Sequence, residues 1–336
     1  MAEKVFKGIL STIGDSPLVE LEKIMPGFPS RVFAKMERFN PGGSIKDRSA
    51  ASMLLAKIRD GELTPGRSVV VESSSGNLAI GLAQICRYYG LRFVCVVDAK
   101  TTEHNLAILR AYEATVEVVT EPDPATGEFL PRRLARVREL VGAIPHAYSP
   151  DQYSNPLNPL AHEETMREIA EALDGRVDYV FAATSTTGTL LGCSAYARAH
   201  GLGTTVVAVD AAGSVLFGQE PARRLIPGHG ASIRPALLDP AAADRVVHVA
   251  DQDCVVACRR LTLREAILAG GSSGATAAAL HRIGADIPAG SHVVLIFADG
   301  GDRYTDTIYS DAWVQKNFGE ISHLWKSGPE MEPTAC

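Results

Sequence analysis

Hydrophobic and polar positions along this chain alternate in blocks. Short apolar, β-branched runs are each followed by a longer stretch with helical spacing. "SVVVE" (68–72) leads into "GNLAIGLAQICRYYG" (76–90), "RFVCVVDA" (92–99) into "EHNLAILRAY" (103–112), and "ATVEVVT" (114–120) into "PRRLARVRELV" (131–141). After Tyr153 the pattern resumes with helix "HEETMREIAEAL", strand "VDYVFAAT", helix "GTLLGCSAYARAHG" and strand "TTVVAVDA", and later "RVVHVAD" and "SHVVLIFAD". Continuous Val/Ile-rich strands separated by helices predict parallel sheets covered on both faces. A polar, proline-containing joint near 145–160, "IPHAYSPDQYSNPLNP", divides two such sets. The final stretch, "LWKSGPEMEPTAC", has the composition of a frayed tail.

Composition narrows the function classes. At 336 residues the chain is long enough for two cores. Its 46% hydrophobic and 21% charged residues are those of an ordinary globular protein. A net charge of −6 without a basic block predicts neither a nucleic acid nor an anionic membrane as partner. The N-terminus shows no apolar h-region, and no apolar run approaches the ~18 residues of a membrane span, so a cytoplasmic protein is expected. Cys86, Cys95, Cys193, Cys254, Cys258 and Cys336 form no CxxC pair and lie mostly in apolar segments, which predicts reduced thiols.

In an α/β protein the chemistry belongs where strand ends meet helix starts. "NPGGSIKDR" (40–48) places Lys46 in the first turn of a helix, after a glycine-cleared turn. The helix dipole disfavours a cation there, and together with burial and a nearby arginine it would lower the amine's pKa. A neutral amine is what imine formation requires. The alternative is a solvated surface lysine, the usual fate of a lone lysine. "VESSSGNLAIG" sets three serines and a glycine at a strand end, a cradle for a carboxylate or phosphate, with the Asn77 amide free to meet a ring oxygen. N-capping alone would need only one such residue. "TSTTGTLLG" (184–192) repeats the hydroxyl-rich design and lacks both the P-loop and the GxGxxG pattern, which fits a bound phosphate monoester better than a triphosphate. "AGGSSGAT" (269–276) contains GxSxG at Ser272, but a helix is predicted before it where a serine-nucleophile elbow needs a strand. No metal is expected: "HEETM" lacks the second histidine of HExxH, and Cys254 with Cys258 read as core.

A lysine for an imine, a phosphate cup and an amide for a ring oxygen together suggest pyridoxal 5'-phosphate. "KMERFNPGGSIKDR", "ESSSGNLAIGLA", "STTGTLLG" and "GGSSGAT" resemble, in that order, the signature segments of the cysteine synthase family of fold-type-II pyridoxal-phosphate enzymes, over about residues 8–316. The resemblance implies an α/β chain of two three-layer α/β/α domains with mainly parallel sheets, similar to the tryptophan synthase β chain. The smaller, mobile domain would span 40–148, the larger 1–39 with 149–320, and 321–336 would be the tail. It implies a homodimer acting on small amino-acid substrates. Lys46 would carry the Schiff base and act as catalytic base, and Asn77 would touch the ring hydroxyl. Ser185, Thr186, Thr187, Gly188 and Thr189 would cup the phosphate, Ser272 would meet the pyridine nitrogen, and Ser74, Ser75, Gly76 and Gln152 would hold the substrate carboxylate.

A serine at the pyridine nitrogen makes the ring a weaker electron sink than an aspartate would, which favours loss of a β-substituent and hence β-replacement through an aminoacrylate. "SSSGNLA" stands where TSGNTG is usual, and "STTGT" where GTGGT is usual. These departures, with "VDAAGSVLFG", "PGHGAS" and "GGDRYTDTIYSDAW", resemble the branch that supplies 2,3-diaminopropionate for siderophores. That resemblance implies O-phospho-L-serine as donor, L-glutamate as amine nucleophile, and N-(2-amino-2-carboxyethyl)-L-glutamate as product. The alternative is a cysteine or S-sulfocysteine synthase that uses a sulfur nucleophile. A leaving phosphate needs a cation, for which Arg303, Lys100 and Arg132 are the candidates.

Overall fold

The computed structural model describes residues 5–124 and 127–326. In chain order it contains β1 (Leu18–Glu20), β2 (Arg31–Met36), α1 (Lys46–Arg59), β3 (Val69–Ser73), α2 (Asn77–Tyr88), β4 (Arg92–Asp98), α3 (Glu103–Ala111), β5 (Thr115–Val119), α4 (Phe129–Ala143), β6 (Ala147–Tyr148) and α5 (Leu157–Ala172). There follow β7 (Tyr179–Ala183), α6 (Gly188–Ala199), β8 (Thr205–Ala211), β9 (Arg245–Val249), α7 (Asp251–Glu265), α8 (Gly271–Ile283), β10 (His292–Phe297), α9 (Asp311–Phe318) and α10 (His323–Lys326).

The strands form two sheets. One has six strands in the order β1-β2-β10-β7-β8-β9, and the other four in the order β5-β4-β3-β6. Among the strand pairs of the described residues, only β1–β2 is antiparallel. Helices cover both faces of each sheet, as the unbroken apolar strands predict. On the six-stranded sheet, Met166, Ile169, Leu190 and Cys193 of α5 and α6 fill one side, and Cys254, Cys258, Ala275 and Leu280 of α7 and α8 fill the other. The four-stranded sheet packs Leu54, Leu82, Ile85 and Leu109 on one face and Val137 of α4 on the other.

Cys86, Cys95, Cys193, Cys254 and Cys258 are all buried and free, in keeping with reduced thiols; Cys336 lies outside the described residues. The start of the expected tail is ordered. Ile321 and Trp325 pack into the core against α7, and Arg260 donates to the Leu324 carbonyl at 2.6 Å. Burying an indole outweighs the fraying tendency of a chain end; residues 327–336 lie outside the described residues. Among the described residues no helix is long and apolar enough to cross a membrane.

Candidate active site

The turn before Lys46 is shaped by glycines for two separate reasons. Gly43 has φ of +85°, a conformation that side chains disfavour. Gly42 donates its N–H to Asp47 Oδ2 at 2.6 Å, so close that a Cβ on Gly42 would lie 2.4 Å from Oδ1 of the same carboxylate. The Ile45 N–H donates to the Ala298 carbonyl at 2.8 Å, which ties the start of α1 to the end of β10. Lys46 then faces a cavity of about 710 Å³, within the range of small-molecule sites. Burial lowers its amine to about 8, against a nearby Asp299 that raises it. Its neighbours in sequence do not answer its charge. Asp47 turns back to Gly42, and burial raises it to about 7. Arg48 pairs with Glu37 at 2.7 Å and with Glu168 at 2.7 Å.

The second loop leaves β3. Ser74 Oγ accepts from Ala79 N at 3.2 Å, and the Ser75 carbonyl accepts from Asn105 Nδ2 at 2.9 Å, which shapes the loop ahead of α2. Asn77 donates through Nδ2 to Asp299 Oδ2 at 2.8 Å and accepts through Oδ1 from Arg303. Beneath the loop Glu72 is buried, and burial raises it to about 7; the backbone N–H groups of Ser73, Asp151 and Gln152 offset part of that cost.

The third loop joins β7 to α6. Thr187 is held at φ +66°, the left-handed region, a rare place for a β-branched residue. The α6 N-terminus has no side-chain capping hydrogen bond, and its first residues, Gly188 and Thr189, line the cavity. Asn158 links this loop to the joint: its Nδ2 donates to Gln152 O at 2.8 Å and to Thr186 Oγ1 at 3.3 Å. Ser272 lies in the first turn of α8, which follows α7 through a short connection. No strand precedes it, so the serine-elbow arrangement is absent there.

All twelve residues singled out in the sequence line the one cavity: Lys46, Ser74, Ser75, Gly76, Asn77, Gln152, Ser185, Thr186, Thr187, Gly188, Thr189 and Ser272. Of the three candidate cations, Lys100 and Arg303 line it and Arg132 does not; Arg132 is exposed on α4, and its neighbour Arg133 takes the place. Arg133 shares the face of α4 that carries Val137 and Val141, and a helical phase of i, i+4, i+8 was the available signal. Arg133 lies 3.4 Å from Asp98, yet its Nε and Nη1 are buried without a hydrogen bond. Asp299, Asn105 and Asn158 carry no motif of their own, and Tyr304 falls in the segment "GGDRYTDTIYSDAW" without a role that the sequence assigns; Asp299 had one general cue, its position just past the end of an interior strand.

These residues fit pyridoxal phosphate. The cavity offers an amine with a lowered pKa, a helix N-terminus unoccupied by a capping side chain and ringed by hydroxyls, and a buried hydroxyl at Ser272.

Comparison with known proteins agrees. The family model for pyridoxal-phosphate dependent enzymes matches residues 9–299. The chain is 45% identical over 313 residues to an N-(2-amino-2-carboxyethyl)-L-glutamate synthase of Ralstonia nicotianae, covering 93% of this chain and 92% of that one. Among solved structures, O-ureido-L-serine synthase superposes with a TM-score of 0.82 at 31% identity, covering 95% of this chain and 98% of the other. The cysteine synthase of Entamoeba histolytica gives 0.84 at 28% identity, covering 99% and 94%.

Proposed function

This chain belongs to the family of pyridoxal-phosphate-dependent enzymes, and on that premise we propose that it joins O-phospho-L-serine to the amine of L-glutamate, releasing phosphate and N-(2-amino-2-carboxyethyl)-L-glutamate. Bound in the cavity, pyridoxal phosphate withdraws electrons from Cα of an amino acid and so loosens its α-proton and its β-substituent. Lys46 would hold the cofactor's aldehyde carbon. The loop 185–189 would hold its phosphate through hydroxyls and the N-terminal N–H groups of α6. Asn77 would meet the ring hydroxyl, and Ser272 the ring nitrogen. Ser74, Ser75, Gly76 and Gln152 would orient the substrate carboxylate. Asn158, which bonds both Gln152 and Thr186, keeps the carboxylate and phosphate sites in register. Lys46 Nζ, lowered to about 8, is a base able to take up the α-proton near neutral pH.

The observation that carries the substrate choice is the charge of the cavity wall. Among the described residues Lys46, Lys100, Arg133 and Arg303 line it against one carboxylate, Asp299. A phosphate leaving group and a nucleophile with two carboxylates bring the negative charge that such a wall is suited to meet. Arg133, with buried nitrogens lacking hydrogen-bond partners, is assigned to the second amino acid. The name of the Ralstonia relative supports the same amino-acid product. The proposal includes a homodimer in the cytoplasm, for which the buried free thiols suit a reducing compartment, and a role in supplying 2,3-diaminopropionate to siderophore assembly.

The test is the mass of the product. The purified enzyme is given phosphoserine with equal concentrations of glutamate and sulfide. A product with the mass of the glutamate adduct, formed with release of phosphate, is expected. If cysteine dominates, the enzyme is a sulfur-assimilating synthase instead.

A further inference from the structure

Building on the assignment of Lys46 as the cofactor lysine, we propose that Asp299 is its positioning residue: a buried counter-ion that holds Lys46 as an ammonium whenever Nζ carries a proton. The placement follows from the fold. β10 lies in the interior of the six-stranded sheet, and Asp299 follows its last residue, Phe297, after Ala298. Its backbone bridges to Ser44, just ahead of Lys46, and the Ile45 N–H donates to the Ala298 carbonyl at 2.8 Å. These two contacts clamp the acid and the lysine to the wall of the same cavity.

The carboxylate is only half used by the protein. Oδ2 accepts from Asn77 Nδ2 at 2.8 Å and from the Tyr304 hydroxyl. Oδ1 is buried and has no hydrogen-bond partner. Gly270 presses against it so closely that a Cβ there would lie 1.8 Å from Oδ1, which keeps any side chain at that position from covering it. A buried carboxylate oxygen without a donor is costly, and its persistence calls for a role. Among the described residues it is the only acid lining a cavity that also presents Lys100, Arg133 and Arg303. When Lys46 takes a proton from substrate Cα, the new ammonium joins those three cations. A nearby carboxylate offsets their repulsion without tying Lys46 down by a permanent hydrogen bond. Asp299 raises the Lys46 amine against the lowering by burial; burial raises Asp299 itself, and the Tyr304 hydroxyl, the Asn77 amide and Arg303 oppose that rise and favour its charged form. The other ionisable groups facing Asp299 are Arg303, Asp302, Tyr304 and Cys258, and His162 is coupled to Lys46.

The experiment uses Asp299→Asn, which removes the charge and keeps the shape. Borohydride reduction of the holoenzyme and peptide mapping come first, and should fix the pyridoxyl label on Lys46 in both proteins; a label on another lysine overturns the assignment of Lys46 itself. Next, the full-length protein is freed of cofactor, and Lys46 is titrated by competitive acetylation with acetic anhydride, read by mass spectrometry. The wild-type midpoint should fall at about 8. Loss of a neighbouring negative charge favours the neutral amine, so the variant midpoint should drop by about one pH unit or more. A label on Lys46 with an unmoved or higher midpoint overturns the counter-ion proposal, since a purely structural Asp299 would change thermal stability alone. If Asp299→Asn does not fold by circular dichroism, Asp299→Ser carries the same test.

Discussion

Lys35 and Lys46 flank the same glycine-rich turn, and both are withdrawn from solvent to different degrees, but their surroundings differ in kind. Lys35 Nζ donates to Glu168 Oε2 at 2.5 Å and to the Ser16 carbonyl at 2.5 Å. Glu168 also binds Arg48, and Arg48 binds Glu37, so two cations and two acids neutralise one another in a dry cluster joining β2, α1 and α5. Ser16 Oγ donates to Glu37 at 2.6 Å and Asn40 to the same carboxylate at 2.7 Å, so few polar atoms there are left over. Lys46 has no ion pair among the described residues, and the polar groups around it include donors and acceptors without partners. A buried lysine with its partners in place holds the fold together. A half-buried lysine kept without them, open to the cavity, is available for covalent chemistry, and the first kind steadies the second by anchoring α1 through Arg48.

The largest effect should come from Lys46→Ala, on activity alone. Turnover, read as phosphate release, should fall on the order of 10⁴-fold, while the urea midpoint of the cofactor-free protein stays at or slightly above wild type, because a poorly partnered amine has been removed. A large loss of stability would break the contrast between the two lysines.

Lys35→Met should do the reverse. Removing one partner of a buried ion pair costs about 3–5 kcal/mol in urea unfolding, whereas kcat of the folded enzyme should stay near wild type. The cluster also predicts a pH dependence. Burial pushes Glu168 up, but Arg48 and Lys35 outweigh it and hold it at about 2, below the ordinary 4.5. The unfolded chain therefore takes up this proton first. The stabilisation is fully present above pH 4.5 and is lost as pH falls through about 2. In Lys35→Met Glu168 is held down less, so that loss should be smaller and should be complete at a higher pH, as measured by acid unfolding.

The smallest effect concerns Thr187, because the relaxed cluster around Lys35 contrasts with a strained cup around the proposed phosphate site. Thr187→Gly relieves a left-handed conformation, and the unfolded chain gains freedom in return. A net stabilisation of no more than about 1 kcal/mol in the cofactor-free protein is expected. A clear destabilisation would mean that the Thr187 hydroxyl, which donates to the Thr186 carbonyl at 2.7 Å, holds the loop more firmly than the strain opposes it.

Block periodicity by itself determined the α/β class and the parallel sheets, because side-chain spacing and strand burial are local consequences of sequence. Contiguous motifs likewise marked Lys46, the Ser74–Asn77 loop, the 185–189 loop and Ser272 as candidates, since a turn's donors are supplied by its own residues, and all of them line the one cavity. Only the tertiary structure decided which partners complete them. Asn77 and Asp299 are 222 positions apart, and no local pattern couples them. Their meeting depends on which strand end faces which helix start once two sheets have packed. Arg132 and Arg133 show the same limit at the smallest scale. They are adjacent in sequence, but a helix turns about 100° per residue, and the seating of Val137 on the four-stranded sheet chose which guanidinium faces the cavity.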